Sequence, residues 1–408
     1  MRAVREYLAF IQAHPRFLLF GFAVAFSSSA GQTYFIGIFG PSIRETFELT
    51  HTQWGTIYMV GTLMSAAVLP WSGDLLDRFN LKWYSPAVLV GLVIACLSIS
   101  LTPSMLFLVP AIFLLRQFGQ GLSGHTSITS MARYMRKDRG KAIAIASMGF
   151  SCGEAILPFL AVLMIAAIGW RSTYQVTAFV WLCFIPLVLW LLRGHDVRHA
   201  NHLVELDEDE KNRDQAIVSL SRRQMLREMR FYLLLPAVLA PSYISTALFF
   251  HHLTLAEAKG WSGIWVTGNY WVYAIFAMAA SLGSGPLIDR FSAARVIPFF
   301  LTPMILGLGI LIVVAEPIWV VPYLALVGIN TGLYFTTFSA LWAELYGTRF
   351  LGGIKSLIGA LGVFASALGP VSIGLLLDLG YSIEQVFGFF AVFCVVSTVM
   401  LIAGLKRY

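Results

Sequence analysis

Two charged residues stand inside long apolar stretches of this chain, Arg116 and Glu154. A charge at the centre of a bilayer costs about 2.5–3.5 kcal/mol on insertion scales, so such residues mark pathways or proton relays. A guanidinium binds carboxylates and other anions through a planar fork of donors. A buried carboxyl holds or releases a proton according to the charges around it. Arg116 occupied by an anionic solute would withdraw its charge from Glu154, and Glu154 would then take up a proton. That exchange would couple proton entry to solute entry. The same two residues also admit a plainer reading, a permanent ion pair that fixes two helices together. A single cation compensates a dianion poorly. The expected solute is therefore a monoanion, a zwitterion or a neutral amphipathic compound.

The elements that must position this pair are transmembrane helices. Of 408 residues, 58% are hydrophobic and only 12% charged, against about 25% charged in soluble domains. This excludes an ordinary soluble enzyme, a nucleic-acid binder and a disordered chain. A crossing helix needs about 20 mostly apolar residues. Twelve such windows lie near 17–40, 53–73, 84–102, 104–131, 141–168, 172–192, 231–254, 264–287, 295–314, 317–343, 351–377 and 384–404. The fold class expected is an all-α membrane protein with two six-helix bundles, 1–192 and 231–408, joined by a polar linker at 193–230. The first apolar run is too long for a cleavable signal. Basic residues collect in alternate loops, and the opposite side holds only Arg44, Arg171 and Lys259. Positive charge stays cytoplasmic, which puts both termini inside. The net charge of +7 thus reports orientation, and no nucleic-acid partner is expected. Cys96, Cys152, Cys183 and Cys394 fall in apolar runs and read as free, buried thiols.

The fourth and fifth spans form a hairpin with its tip near residue 135. Arg116 lies 19 residues before the tip and Glu154 lies 19 after it, so both should sit near the midplane. At about 100° per residue, Gln120, Ser123 and Ser127 share the Arg116 face, while Ser147, Ser151 and Pro158 share the Glu154 face. Gly149 and Gly153 have the small-xxx-small spacing of close helix packing. His125 points the other way and reads as a packing or gate histidine. The halves also look like copies. Gly73-Asp74-Leu75-Leu76-Asp77-Arg78-Phe79 recurs 212 residues later as Gly285-Pro286-Leu287-Ile288-Asp289-Arg290-Phe291, and the same shift carries Gly140 onto Gly352 and Pro158 onto Pro370. Parallel six-helix repeats are a transporter architecture with a site near mid-membrane.

On these motifs the sequence resembles the major facilitator superfamily over nearly its whole length. Gly73-x-Leu75-x-Asp77-Arg78 with Lys82 is similar to the family's loop 2–3 signature, with Asn80 and Leu81 where the pattern has Gly and Arg. Asn80 is expected to make the left-handed turn that Gly would make. The resemblance implies that Asp77 and Arg78, and their echo Asp289 and Arg290, gate the inward side. It also implies an Arg on the fourth span, followed by Gln at three and Gly at four, whereas here Gly119 is at three and Gln120 at four. The Gly-Pro motif of drug–proton antiporters is absent from 149–155. Gly31 to Phe39, with Trp54, vaguely resembles the monocarboxylate and oxalate–formate branch. That branch usually carries an Arg on the eighth span, and 264–287 holds neither Lys nor Arg.

Further cavity candidates follow. Ser27-Ser28-Ser29-Ala30-Gly31 allows close approach or local unwinding of the first span, with Gln32 and Tyr34 beyond it. Tyr243, Asn269, Tyr270, Asn330 and Tyr334 stand on the seventh, eighth and tenth spans, some of them expected to bond other helices. His251 and His252 read as packing at the outer interface. No catalytic constellation, metal cluster or phosphate cradle is visible, so no enzyme activity and no cofactor is expected, and an ion gradient is the expected energy source. The favoured reading is proton-coupled symport of a small, monocarboxylate-like solute by a monomer in a bacterial inner membrane. The alternatives are a proton antiporter exporting an amphipathic or toxic compound and a non-transporting membrane sensor.

Overall fold

The computed structural model describes residues 9–135, 138–196, 198–199, 222–346 and 351–406. Among the described residues there is helix and no strand. Bilayer interiors permit little else in a single chain of this kind, because each backbone N–H and C=O must find its partner within the segment. Ten helical stretches among the described residues are long and apolar enough to cross a membrane. The outward surface is correspondingly apolar: Val313, Trp83 and Leu282 are each more than 70% exposed.

The first predicted span, 17–40, is not one helix. Helix α1 (Pro15–Ser27) stops at a 3₁₀ turn, Ser28–Gly31, and helix resumes at Thr33–Ile36. A short helix, Gly40–Phe47, leads to α2 (His51–Arg78) and α3 (Leu81–Ser100). The stretch Met105–Tyr134 is α4. The predicted fifth and sixth spans run together as Arg139–Leu191, broken only at Gly169 (φ 79°, ψ 161°). We call the two parts α5 (139–168) and α6 (170–191). In the second half stand α7 (Met229–Phe250), α8 (Tyr270–Phe291), α9 (Thr302–Val313), α10 (Val320–Tyr346), α11 (Leu351–Asp378) and α12 (Ile383–Leu405).

The chain divides into two compact units. One takes the chain up to Phe39 and then from Val60 into the linker; the other takes Gly40–Met59 and the chain after the linker. In the first, α1 packs along α4 and α5. In the second, α8 packs along α10, and α7 packs against α11 and α12. Much of the linker expected at 193–230 lies outside the described residues, as do Arg136, Lys137 and Arg349 and the side chains of Asp77 and Asp289.

Two expectations need correction. Asn80 does not make a left-handed turn. Its backbone is extended (φ −67°, ψ 138°), and its side chain caps α3 by accepting from the Lys82 N–H at 3.0 Å. Asn serves an N-cap well, so the residue that departs from the signature is still used to start a helix. The cysteines are free, but Cys183 is exposed. An apolar run in a membrane needs no protein neighbour on its outer face, so apolar sequence alone does not imply burial in the protein.

Past α6 the chain folds back. Asp196 accepts from Asn80 at 3.1 Å and pairs with Lys82. His199 Nδ1 and the Tyr134 hydroxyl are 2.9 Å apart, and Arg198 lies over the Phe17 ring. His195 is fully buried, stacked on Phe17 and edge-on to Tyr134. Neither of its ring nitrogens has a partner among the described residues. Burial, and then the charges of Arg198 and His199, push its pKa down to about 3. The unfolded ring titrates near 6.5, so this docking is fully stabilised above that pH and weakens as pH falls from 6.5 toward 3. Asp196 is held below its ordinary carboxylate value first by its hydrogen bond to Lys82. Amide exchange at 195, 196, 198 and 199 should therefore speed up between pH 7 and pH 5 beyond the intrinsic change. His195→Phe, which keeps the ring stack, should remove that pH dependence.

Candidate functional site

The site grows from the interruption of α1. The Ser27 and Ser28 hydroxyls bond back to the carbonyls of Val24 (2.8 Å) and Ala25 (2.6 Å). Such bonds compete with the helix ladder. The chain then tightens into the 3₁₀ turn and extends at Gln32 (φ −81°, ψ 151°). A broken helix in a membrane leaves carbonyls that need donors. Arg116 supplies one: its guanidinium donates to the Gly31 carbonyl at 3.1 Å and to the Thr33 hydroxyl at 3.4 Å. Arg116 is itself 4% exposed.

Arg116 opens a π-helical stretch, Arg116–Ser123, in the middle of α4. Such stretches are rare and cluster at functional sites. The Ser123 hydroxyl donates to Phe118 O, five residues back, at 2.7 Å. The stretch meets the break in α1 almost backbone to backbone: a Cβ on Gly119 would lie 2.5 Å from Gly31 Cα. Further along the same face, Ser127 donates to Gly21 O of α1 at 2.7 Å. Gln117 turns instead to α2, accepting from Ser65 (3.0 Å) and donating to Ser72 (2.7 Å). Gln120 is half-buried, and its carbonyl oxygen has no partner among the described residues.

Helix α5 approaches the same break from another side. A Cβ on Gly149 would lie 2.8 Å from the Ala25 Cβ, and one on Gly153 would strike the Ser29 hydroxyl. This is the close packing that their spacing predicts. Ser29 in turn accepts from the Tyr34 hydroxyl at 2.9 Å, and Gln32 reaches Ser28 at 3.5 Å. Glu154 follows Gly153 and is half-buried. Among the described residues it has neither an ion pair nor a hydrogen bond, so no ion pair joins it to Arg116. The two charged residues stand on helices that flank one break and do not hold each other.

In the second unit several candidates are taken up by the protein itself. Asn269 donates to Trp265 O and Asn330 to Phe300 O, each at 2.7 Å. The Tyr270 hydroxyl is 2.7 Å from His252 Nδ1, and Tyr323 is 2.6 Å from His252 Nε2. His252 is thus a buried knot between α8 and α10, not interface packing, and its partners lie 18 and 71 residues away. His251, also buried, bonds Pro370 O at 3.0 Å. Tyr243 packs on Phe390 and Phe393. Tyr334 hydrogen-bonds Ser242. Of the gate residues, Arg78 and Arg290 are exposed, the latter over its neighbour Phe291. His125 lies beside Gly73 of the signature. Thr33 and Tyr323, which sequence reasoning missed, are recognisable only through partners far along the chain.

The Gly119–Gly31 contact leaves no room for a side chain. Gly119→Val should destabilise the purified protein by about 1–3 kcal/mol, as overpacking does, which lowers its unfolding midpoint, and should detach Arg116 from Gly31. A circular-dichroism melt checks the first effect.

The sequence model of the Major Facilitator Superfamily matches residues 21–370 and 270–407. Among solved structures, a bacterial homolog of the human lysosomal transporter Spinster, in an inward-facing and occupied conformation, is similar at TM-score 0.72 and 14% identity, covering 98% of this chain and 97% of that one. The nucleoside transporter NupG is similar at TM-score 0.72 and 12% identity, covering 96% and 99%. No curated protein matches the chain. The helical architecture, the repeated loop signature and the family match agree, and the chain belongs to the major facilitator superfamily of membrane transporters.

Proposed function

We propose that this transporter is a proton-coupled symporter of a small organic monoanion or zwitterion, with a carboxylate as the group recognised. The observation that carries the reading is Arg116, a buried guanidinium at the start of a π-helical turn, docked on the broken α1. An arginine so placed meets a carboxylate with preformed geometry. Gln120, whose side-chain oxygen is unpartnered, would add an amide contact, and Gln32 and Tyr34 of the same unit are the further candidate contacts. Glu154, with no partner of its own, carries the proton. Asp77, Arg78, Asp289 and Arg290 gate the cytoplasmic side. The proposed carrier is a monomer of two six-helix bundles, 1–192 and 231–408, in a bacterial inner membrane. Export of an amphipathic compound against protons is the alternative, and the nucleosides carried by NupG widen the set of solutes to try.

Uptake into proteoliposomes from a panel of monocarboxylates, amino acids and nucleosides tests the reading. A carboxylate should accumulate down an imposed proton gradient. Glu154→Gln should abolish that accumulation while leaving solute exchange at equilibrium intact. Arg116→Lys should cut uptake roughly tenfold or more, since an ammonium cannot replace a bidentate fork. Full gradient-driven accumulation by Glu154→Gln would remove the coupling scheme.

A further inference from the structure

Helices α4 and α5 of the first unit lie side by side along α1, and their contacts fix which residues stand level. A Cβ on Gly21 of α1 would meet Met131 of α4 at 2.9 Å and Ala146 of α5 at 3.0 Å. A Cβ on Gly124 of α4 would lie 3.6 Å from the Phe150 ring of α5. At the break in α1, a Cβ on Gly31 would lie 2.7 Å from both Gly119 Cα and Gln120 N, while the neighbouring Ser29 meets Gly153. The residue numbers fall along α4 as they rise along α5, so the two helices are antiparallel. Glu154 stands one turn beyond Phe150 on the same flank of α5, and Gln120 about one turn from Gly124 on α4. The two residues therefore come level on facing flanks.

Each of them lacks what the other can supply. The side-chain oxygen of Gln120 is buried and has no donor among the described residues. Arg116 donates to Gly31 and Thr33, and the Tyr34 hydroxyl donates to Ser29, so neither serves that oxygen. A buried acceptor without a donor is costly and calls for an explanation. Glu154 is half-buried and has no hydrogen bond or ion pair among the described residues. An ionised carboxylate only accepts, so it offers an amide oxygen nothing. A protonated carboxyl carries one O–H donor. The orphan oxygen thus matches Glu154 in its protonated form alone.

Resting on the reading of Glu154 as the carrier of the coupled proton, we propose that Gln120 is the residue that positions that proton. On protonation the Glu154 O–H donates to Gln120 Oε1; on ionisation the bond is lost. The proton comes from water and stays on the carboxyl oxygen, and the amide keeps both its hydrogens. The bond joins α5 to the π-helical stretch that Arg116 opens. The amide N–H groups of Gln120 remain for the solute, so one side chain touches the proton site with one end and the solute site with the other.

Infrared difference spectra between acid and alkaline pH, taken on the full chain in liposomes, read the C=O stretch of any carboxyl that gains a proton. Glu154→Gln should delete one such band. Gln120→Leu should move that same band to higher frequency, because the acid has lost its acceptor, or delete it, because the carboxyl no longer holds the proton. Leucine there leaves no orphan oxygen behind. Gln120→Met, unbranched and of similar length, gives the same reading where the leucine variant does not fold. A band that Glu154→Gln removes and that stays in place in the Gln120 variants would overturn the bond while leaving Glu154 as the proton carrier. Spectra in which Glu154→Gln removes no band would overturn both.

Discussion

A backbone carbonyl without a donor is costly in hydrocarbon, and the site depends on one such carbonyl. Breaking α1 at Ser28–Gln32 creates the need at Gly31, and Arg116 meets it. That one bond explains several features together. It gives a reason for a guanidinium at this depth, for the glycine at 119 that lets the helices touch, and for a π-helical turn that starts at the arginine. Remove the break and Arg116 becomes an expensive ornament; remove Arg116 and the break exposes an unsatisfied oxygen.

Glu154 stands under a different constraint. It follows a glycine that lets α5 press on Ser29, yet no side chain among the described residues holds it. A permanent pair with Arg116 would have frozen both. The arrangement instead has Arg116 donating to the Gly31 carbonyl and the Thr33 hydroxyl, with Glu154 outside those bonds. The proposed proton coupling needs that separation, because a clasp would make each charge the other's fixed partner.

The apolar windows, the two intramembrane charges and the glycine pair at 149 and 153 were all legible in the sequence, because each depends on residue type and local spacing. The features that escaped depend on partners far along the chain or on backbone geometry. Nothing near His252 announces Tyr270 and Tyr323. Arithmetic at about 100° per residue assumes a regular helix, which α4 abandons at Arg116. Analogy with the glycine of the signature points Asn80 to a left-handed turn, whereas its side chain does what asparagine does well, accepting an N–H at a helix start. The serine run around residue 28 was the most informative local signal, since small hydroxyl residues both permit and promote unwinding.

The junction between α5 and α6 is a single glycine whose φ of 79° and ψ of 161° fall where side-chain-bearing residues are essentially not found. A Cβ there would meet no atom within 4 Å, so the restriction comes wholly from the backbone. One residue thus does the work usually given to a loop, and almost no polypeptide protrudes at that turn. The surface there offers little for a protease, an antibody or an inserted epitope to grip, and sequence drift at the turn is confined to its flanks.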